Sequence, residues 1–176
     1  MHELETERLL LRQWEARDFE PFAEYYSTVE TARFVGGVAS RDQTWRRMAS
    51  QLGHWVLLGF GYWALEEKAT GTFAGCVGLW RSPGWPELEL GYWLVPAVQG
   101  KGYATEAGAA ARDFAWQVVG TDSLVSYIAP ENEPSKRVAE RLGARFEKVI
   151  ELLDHGPHCV YRYPAPGAEE DRSPRN

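Results

Sequence analysis

The sequence predicts one mixed α/β domain, with a central, mostly antiparallel sheet flanked by helices. Three observations carry that expectation. Residues 87–116, ELELGYWLVPAVQGKGYATEAGAAARDFAW, read as a strand, a proline-broken loop, a glycine turn and a helix. Two strand patterns stand directly before this run with turn chemistry between them, so three consecutive strands precede the glycine turn. The helical patterns are few and separated, giving the order β-α-α-β-β-β-α-β-α-β-β rather than regular alternation of strand and helix. The domain is expected over residues 1–163. Residues 164–176, PAPGAEEDRSPRN, are almost devoid of apolar side chains and are expected to form a flexible tail.

Residues 6–14, TERLLLRQW, form a dense apolar run between arginines and read as a first strand. Asp18 is placed to cap a helix through Phe22, Tyr25 and Tyr26 to about Val29, and Gly36-Gly37 breaks the pattern. Ser40 and Gln43 make an S-x-x-Q capping box ahead of Trp45, Met48, Leu52 and Trp55, spaced along one face of a second helix. Residues 61–68 and 72–80 read as a hairpin turning near Ala69-Thr70-Gly71. Residues 81–86, RSPGWP, are turn chemistry.

In the next strand Leu88, Leu90, Tyr92 and Leu94 alternate with Glu87, Glu89, Gly91, Trp93 and Val95, and Pro96 ends it. Gly91 inside the strand signals a bulge or a close backbone approach. Small and apolar residues then recur as Ala107, Gly108, Ala111, Phe114, Ala115 and Val118, one stripe of a packed helix. Residues 123–129 are a short strand closed by Pro130. Asn132 is the N-cap and Pro134 the first turn of a helix that presents Val138, Ala139 and Leu142 and stops at Gly143. Residues 145–153 and 158–163 supply two final strands.

Gly100 and Gly102 stand where the central helix begins. Glycine lets the chain turn tightly there, and the free N–H groups of a helix start attract an anion, so the expected ligand is a phosphate. Three glycine-rich loops compete for the assignment. A nucleotide P-loop needs Ser or Thr after its Gly-Lys, whereas Gly102 follows Lys101. A dinucleotide fingerprint needs a third glycine in an opening βαβ unit, whereas Thr105 occupies that place in mid-chain. Gln99-Gly100-Lys101-Gly102-Tyr103-Ala104 instead resembles the Q/R-x-x-G-x-G/A pyrophosphate loop of the GNAT acyltransferase superfamily. Its context, LGYWLVPAVQGKGYATEA, is similar to the ribosomal-protein (RimJ/RimL-like) branch, as is the opening T-x-R-L-x-L-R at Thr6, Arg8, Leu9, Leu11 and Arg12.

The resemblance implies a GNAT fold over roughly residues 6–163, with the fourth and fifth strands splayed around acetyl-CoA. It implies transfer of the acetyl group to an amine, a protein N-terminus or a small molecule, in a direct ternary complex. It places cofactor contacts at Gln99, Gly100, Lys101, Gly102, Tyr103, Ala104 and Thr105, with backbone of Leu94 and Val95 on the pantetheine arm. A backbone N–H near Trp93 is implied for the acetyl oxygen. Asn132-x-x-Ser135 resembles the RimJ/RimL-like N-x-x-S pattern, with Asn132 on the cofactor and Ser135 protonating or hydrogen-bonding the sulfur, and Ser135 is the candidate acid. The tyrosine that many members use for that proton is replaced by Ala139. Ser135 has a second reading as a helix cap.

Glu89 likewise has two readings. An acidic residue near this place often serves as base in related enzymes, and a lysine-like amine with a pKa near 10.4 needs one, since deprotonation at pH 7 costs about 4.6 kcal/mol. The other reading is a solvated face shared with Glu87. A non-catalytic acyl-CoA-binding module is the alternative function that the missing tyrosine raises. The two early helices are implied to cover the acceptor, so Phe34, Trp45 and Trp55 are either its lining or scaffold aromatics. Specificity is expected in residues 29–40 and 81–86.

A formal charge of −6 argues against a general nucleic-acid surface and suits a cationic acceptor. The anionic cofactor then needs a local basic patch, with Lys101, Arg112, Lys136, Arg137 and Arg141 as candidates. Cys76 and Cys159 lie far apart in apolar surroundings and read as reduced core thiols. His2, His54, His155 and His158 lack ligand spacing, so no metal is expected. No apolar run of about 18 residues appears and no charged-then-apolar leader opens the chain, so a cytoplasmic protein without membrane contact is expected, as a monomer or homodimer.

Overall fold

The computed structural model describes residues 2–167. Residues 168–176 of the expected tail lie outside the described residues. The strands are β1 (Leu4–Glu5), β2 (Leu9–Arg12), β3 (Tyr62–Glu67), β4 (Thr72–Trp80), β5 (Glu89–Leu94), β6 (Val125–Ile128), β7 (Arg145–Glu151) and β8 (Pro157–Arg162). The helices are α1 (Phe19–Tyr25), α2 (Val29–Ala32), α3 (Arg41–Leu58), α4 (Tyr103–Phe114) and α5 (Glu133–Arg141). Among the described residues the strands form one sheet in the order β1-β2-β3-β4-β5-β6-β8-β7. Every neighbour pair is antiparallel except β5 beside β6.

Of the first strand expected over residues 6–14 the structure forms β2; β1 precedes that stretch, and Thr6 N–H donating to Leu9 C=O at 2.9 Å folds the two into a tight hairpin. The first expected helix, to about Val29, ends at Tyr25, and α2 starts anew where the Thr28 hydroxyl accepts the Thr31 N–H. Asp18 precedes α1 but does not cap it; its carboxylate accepts the Glu15 N–H at 2.8 Å, closing a capping box on the short turn before α1. It takes both terminal nitrogens of buried Arg12, each at 2.8 Å. The Ser40–Gln43 capping box forms as expected and opens α3.

The sheet has apolar residues on both faces. On one, Leu11, Trp63, Leu79 and Leu90 pack with Ala107, Ala111 and Phe114 of α4. On the other, Phe22, Tyr25, Tyr26 and Met48 from α1 and α3 close over Ala64, Cys76 and Trp93. Gly108 serves packing, since a Cβ there would stand 2.7 Å from Leu142 Cδ1. The stripe extends to Ala115 but not to Val118. Residues Ala115–Val119 widen into a π-helical turn, which rotates Val118 into solvent.

β5 and β6 share one register pair, Glu89 opposite Val125, fastened by Val125 N–H to Leu88 C=O at 3.0 Å. Beyond that pair the two strands part. This is the splay expected of the fourth and fifth strands, and it positions everything described next. Among the described residues no helix is long and apolar enough to cross a membrane.

Candidate active site

The parting of β5 from β6 opens a cleft of about 270 Å³. One side carries Asn132 and Ser135 from the start of α5, and the other carries Phe22, Tyr26 and Phe34 from α1 and the segment after it. The cleft therefore joins the two faces of the sheet.

At the C-terminal end of β5 the chain enters the glycine loop. Gly100 and Gly102 have φ of 79° and 83°, and Gly102 immediately precedes α4. A Cβ at Gly102 would meet only Arg8 Nη2, at 3.6 Å, and one at Gly100 would meet open space. These glycines thus serve a left-handed turn rather than a packing contact. The first α-helical bond runs from Glu106 N–H to Gly102 C=O, leaving the N–H groups of Tyr103, Ala104 and Thr105 at the positive end of the helix without intrahelical acceptors. That is a cradle suited to a pyrophosphate.

The loop is braced from two strands. Tyr103 donates its hydroxyl to Glu67 at the end of β3, and Lys101 Nζ stands 3.3 Å from the same oxygen. Those bonds, Tyr103's foremost, hold the Glu67 pKa down to about 2. Arg8 donates to Lys101 C=O at 2.9 Å, lies over the Tyr103 ring, and pairs with Glu106 at 2.6 Å. The Thr6 hydroxyl donates to Glu106 as well. The opening T-x-R is thereby a clamp on the glycine loop. Of the expected basic patch, Lys101 and the unforeseen Arg8 flank the loop. Arg112 is engaged with Leu142 C=O and Asp113, and Lys136 with Pro130 C=O and Glu133.

The backbone of β5 divides between two neighbours. Val95 N–H donates to Ala74 C=O at 3.0 Å, and Trp93 stands opposite Cys76 in the β4 register. Strand alternation therefore turns the Trp93 N–H toward β4, away from the gap. Leu94 faces the other way, and its C=O accepts Gln99 Nε2 at 3.0 Å. The amides turned toward the gap beyond the Glu89–Val125 pair are thus those of Tyr92 and Leu94, on either side of the expected Trp93, and Val95's is engaged. Gln99 closes the loop back onto its strand.

Glu87 and Glu89, two residues apart, have opposite environments. Arg162 binds Glu87 through two nitrogens at 2.8 and 2.9 Å, Ser123 donates to it, and its pKa falls to about 2. Glu89 is partly buried in the cleft wall, with Trp85 Nε1 donating to it at 2.9 Å. Burial pushes its pKa up to about 7, against the opposing pull of that indole and of the Tyr127 backbone. A carboxylate at that value exchanges a proton near neutrality. Gly91, the next cleft residue on this face, makes room for Tyr62: a Cβ there would lie 1.7 Å from the Tyr62 hydroxyl oxygen. What approaches Gly91 is thus a phenol side chain, where a bulge or backbone was expected.

At the other wall Asn132 Oδ1 accepts the Ser135 N–H at 3.3 Å, and Tyr92 donates its hydroxyl to Ser135 C=O at 2.8 Å. Ser135 lines the cleft, and Ala139, one helical turn further, is fully buried behind it. Phe34 lines the cleft, Trp55 is a core residue against Trp63, and Trp45 is half exposed against Phe19.

Comparison with known proteins bears on this arrangement directly. Residues 8–145 match the family model described as "Acetyltransferase (GNAT) domain". The chain belongs to the GNAT acetyltransferase family. As a GNAT protein it is an acetyl-CoA-dependent acetyltransferase. It is 30% identical over 166 residues to the uncharacterized protein YkkB of Bacillus subtilis, covering 90% of this chain and 93% of that one. The crystal structure of an acetyltransferase from Agrobacterium tumefaciens str. C58 superposes with a TM-score of 0.85 at 34% identity, covering 93% and 95% of the two chains. The structure of RimL, a ribosomal L7/L12 alpha-N-protein acetyltransferase in complex with coenzyme A, gives 0.76 at 15% identity over 93% and 98%, a likeness of fold alone.

Four residues of this GNAT site were not singled out from sequence. Trp85 had one signal, a large aromatic inside a Pro-Gly turn. Tyr62, Tyr127 and Glu67 sit in ordinary strand alternation and become site residues only through strand pairing.

Proposed function

We propose that the protein acetylates a primary amine by direct attack within a ternary complex, with Glu89 as general base. The observation that carries this reading is Glu89 itself, a carboxylate near pKa 7 in the wall of the cleft between the parted strands. An ordinary glutamate near 4.5 would take the amine proton less readily, by about 3.4 kcal/mol for the difference from about 7. The amine nitrogen attacks the thioester carbonyl, the N–C bond forms as the C–S bond breaks, and the amine proton passes to Glu89. The departing sulfur takes a proton from Ser135, which lies across the cleft; the Ser135 hydroxyl recovers a proton from water and Glu89 releases the amine proton to solvent, so both groups are restored. Asn132 holds the turn on which Ser135 sits.

Acetyl-CoA as the donor places its pyrophosphate at Gly100–Thr105, on the N–H groups of Tyr103, Ala104 and Thr105 and beside Lys101. Its pantetheine arm runs along the open backbone at Leu94. The RimJ/RimL-like branch and a cytoplasmic setting complete the proposal, supported by the T-x-R clamp and the two free, buried cysteines.

The test is steady-state acetylation with an amine panel. Glu89→Gln is expected to lose about 10²–10⁴ in kcat, while its thermal stabilisation by acetyl-CoA stays that of the wild type. An unchanged kcat would remove Glu89 from the chemistry. Stabilisation by acetyl-CoA with no amine acetylated would favour the non-catalytic acyl-CoA-binding reading.

A further inference from the structure

We infer that the acceptor is a small, singly charged primary amine with a flat apolar body, seated between aromatic walls with its nitrogen at Glu89. This rests on the amine-acetylation reading and goes on to the class of amine. Nine aromatic residues line the cleft, against one carboxylate, two histidines and no lysine or arginine. On the Glu89 side the walls are Tyr26, Phe34, Tyr62, Trp80, Trp85 and Tyr127. Aromatic faces attract one ammonium group and pack against a flat apolar body.

Charge sets the first limit. Each further ammonium group would enter a desolvated wall without a carboxylate to meet it, which disfavours a polyamine or an aminoglycoside. Glu89 is the one acid in the lining, and its indole partner Trp85 fixes its orientation at 2.9 Å.

Volume sets the second. The cleft's 270 Å³ lies below the roughly 300–1,000 Å³ usual for drug-sized ligands. The reacting end of the donor must share that space, so the acceptor body is about one ring in size.

Tyr127, 8% exposed, adds its ring to this wall, while its hydroxyl is sealed from the cleft beside the Glu87 backbone. A long peptide acceptor would instead need an extended polar groove for its backbone, which these walls do not offer.

The experiment compares kcat/KM of the full chain for 2-phenylethylamine, spermidine, kanamycin and a peptide with a free N-terminus, at fixed acetyl-CoA. Phenylethylamine is expected to lead each of the others by at least about tenfold, the scale on which pocket fit discriminates. Spermidine, kanamycin or the peptide matching it would overturn the inference and leave amine acetylation standing. Acetylation of none of the four would overturn both. Phe34→Ala supplies a second reading: KM for phenylethylamine should rise about tenfold with KM for acetyl-CoA unchanged. An unchanged amine KM in that variant would also overturn the inference.

Discussion

Replacing Glu89 with glutamine should stabilise the protein while it disables the site, and the gain should grow with pH. The carboxyl has its ordinary value of 4.5 in the unfolded chain and about 7 in the folded one. Below pH 4.5 both states carry the proton, so wild type and Glu89→Gln differ little. Between pH 4.5 and 7 the unfolded state releases the proton while the folded state keeps it. Wild-type stability therefore falls by about 1.36 kcal/mol per pH unit across that window, and about 3 kcal/mol in all is lost above pH 7. Glutamine keeps the shape and an acceptor for Trp85 Nε1 but does not titrate. Urea unfolding of both proteins at pH 4.5, 6, 7 and 8.5 reads the difference. A gap that widens from near zero to a few kcal/mol supports the reasoning, and a pH-independent gap refutes it. The same pKa that strengthens the base thus weakens the fold, a trade expected where a carboxyl is buried for chemistry.

Two further perturbations test the frame around the site. Asp18→Ala leaves buried Arg12 with Glu66 as its acidic partner, and should cost about 3 kcal/mol by urea unfolding; a loss below 1 kcal/mol would mean that the pair is not held as described. Gly91→Ala drives a methyl onto the Tyr62 hydroxyl and should cost about 2 kcal/mol. Adding Tyr62→Phe should recover part of that loss in thermal unfolding, and no recovery would place the strain elsewhere.

Local chemistry made much of this molecule legible. The Ser40–Gln43 box, the Asn132 cap with its following proline, the period-two run of β5 and the glycines before α4 are each decided within a few residues, and the structure forms all of them. The Val118 expectation failed because a single π-helical turn shifts the helix face, and no pattern of apolar residues encodes that turn. Asp18 binds Arg12 and the Glu15 N–H rather than capping α1, because a buried guanidinium needs its carboxylate more than that helix start does.

Glu87 and Glu89 mark the boundary most sharply. In sequence they are the same residue type, two positions apart in one strand pattern, and nothing local separates them. Arg162 arrives beside Glu87 from β8 and Trp85 folds over Glu89 from the preceding turn, so one is held ionised and the other is raised toward neutrality. By itself the sequence determined the order of elements, the glycine loop and the family that loop belongs to, because those depend on short-range geometry. Which carboxylate titrates near neutrality, which backbone amides face the gap and which aromatics wall the cleft were decided by tertiary structure alone, because burial and charge pairing depend on residues that meet only when the sheet assembles.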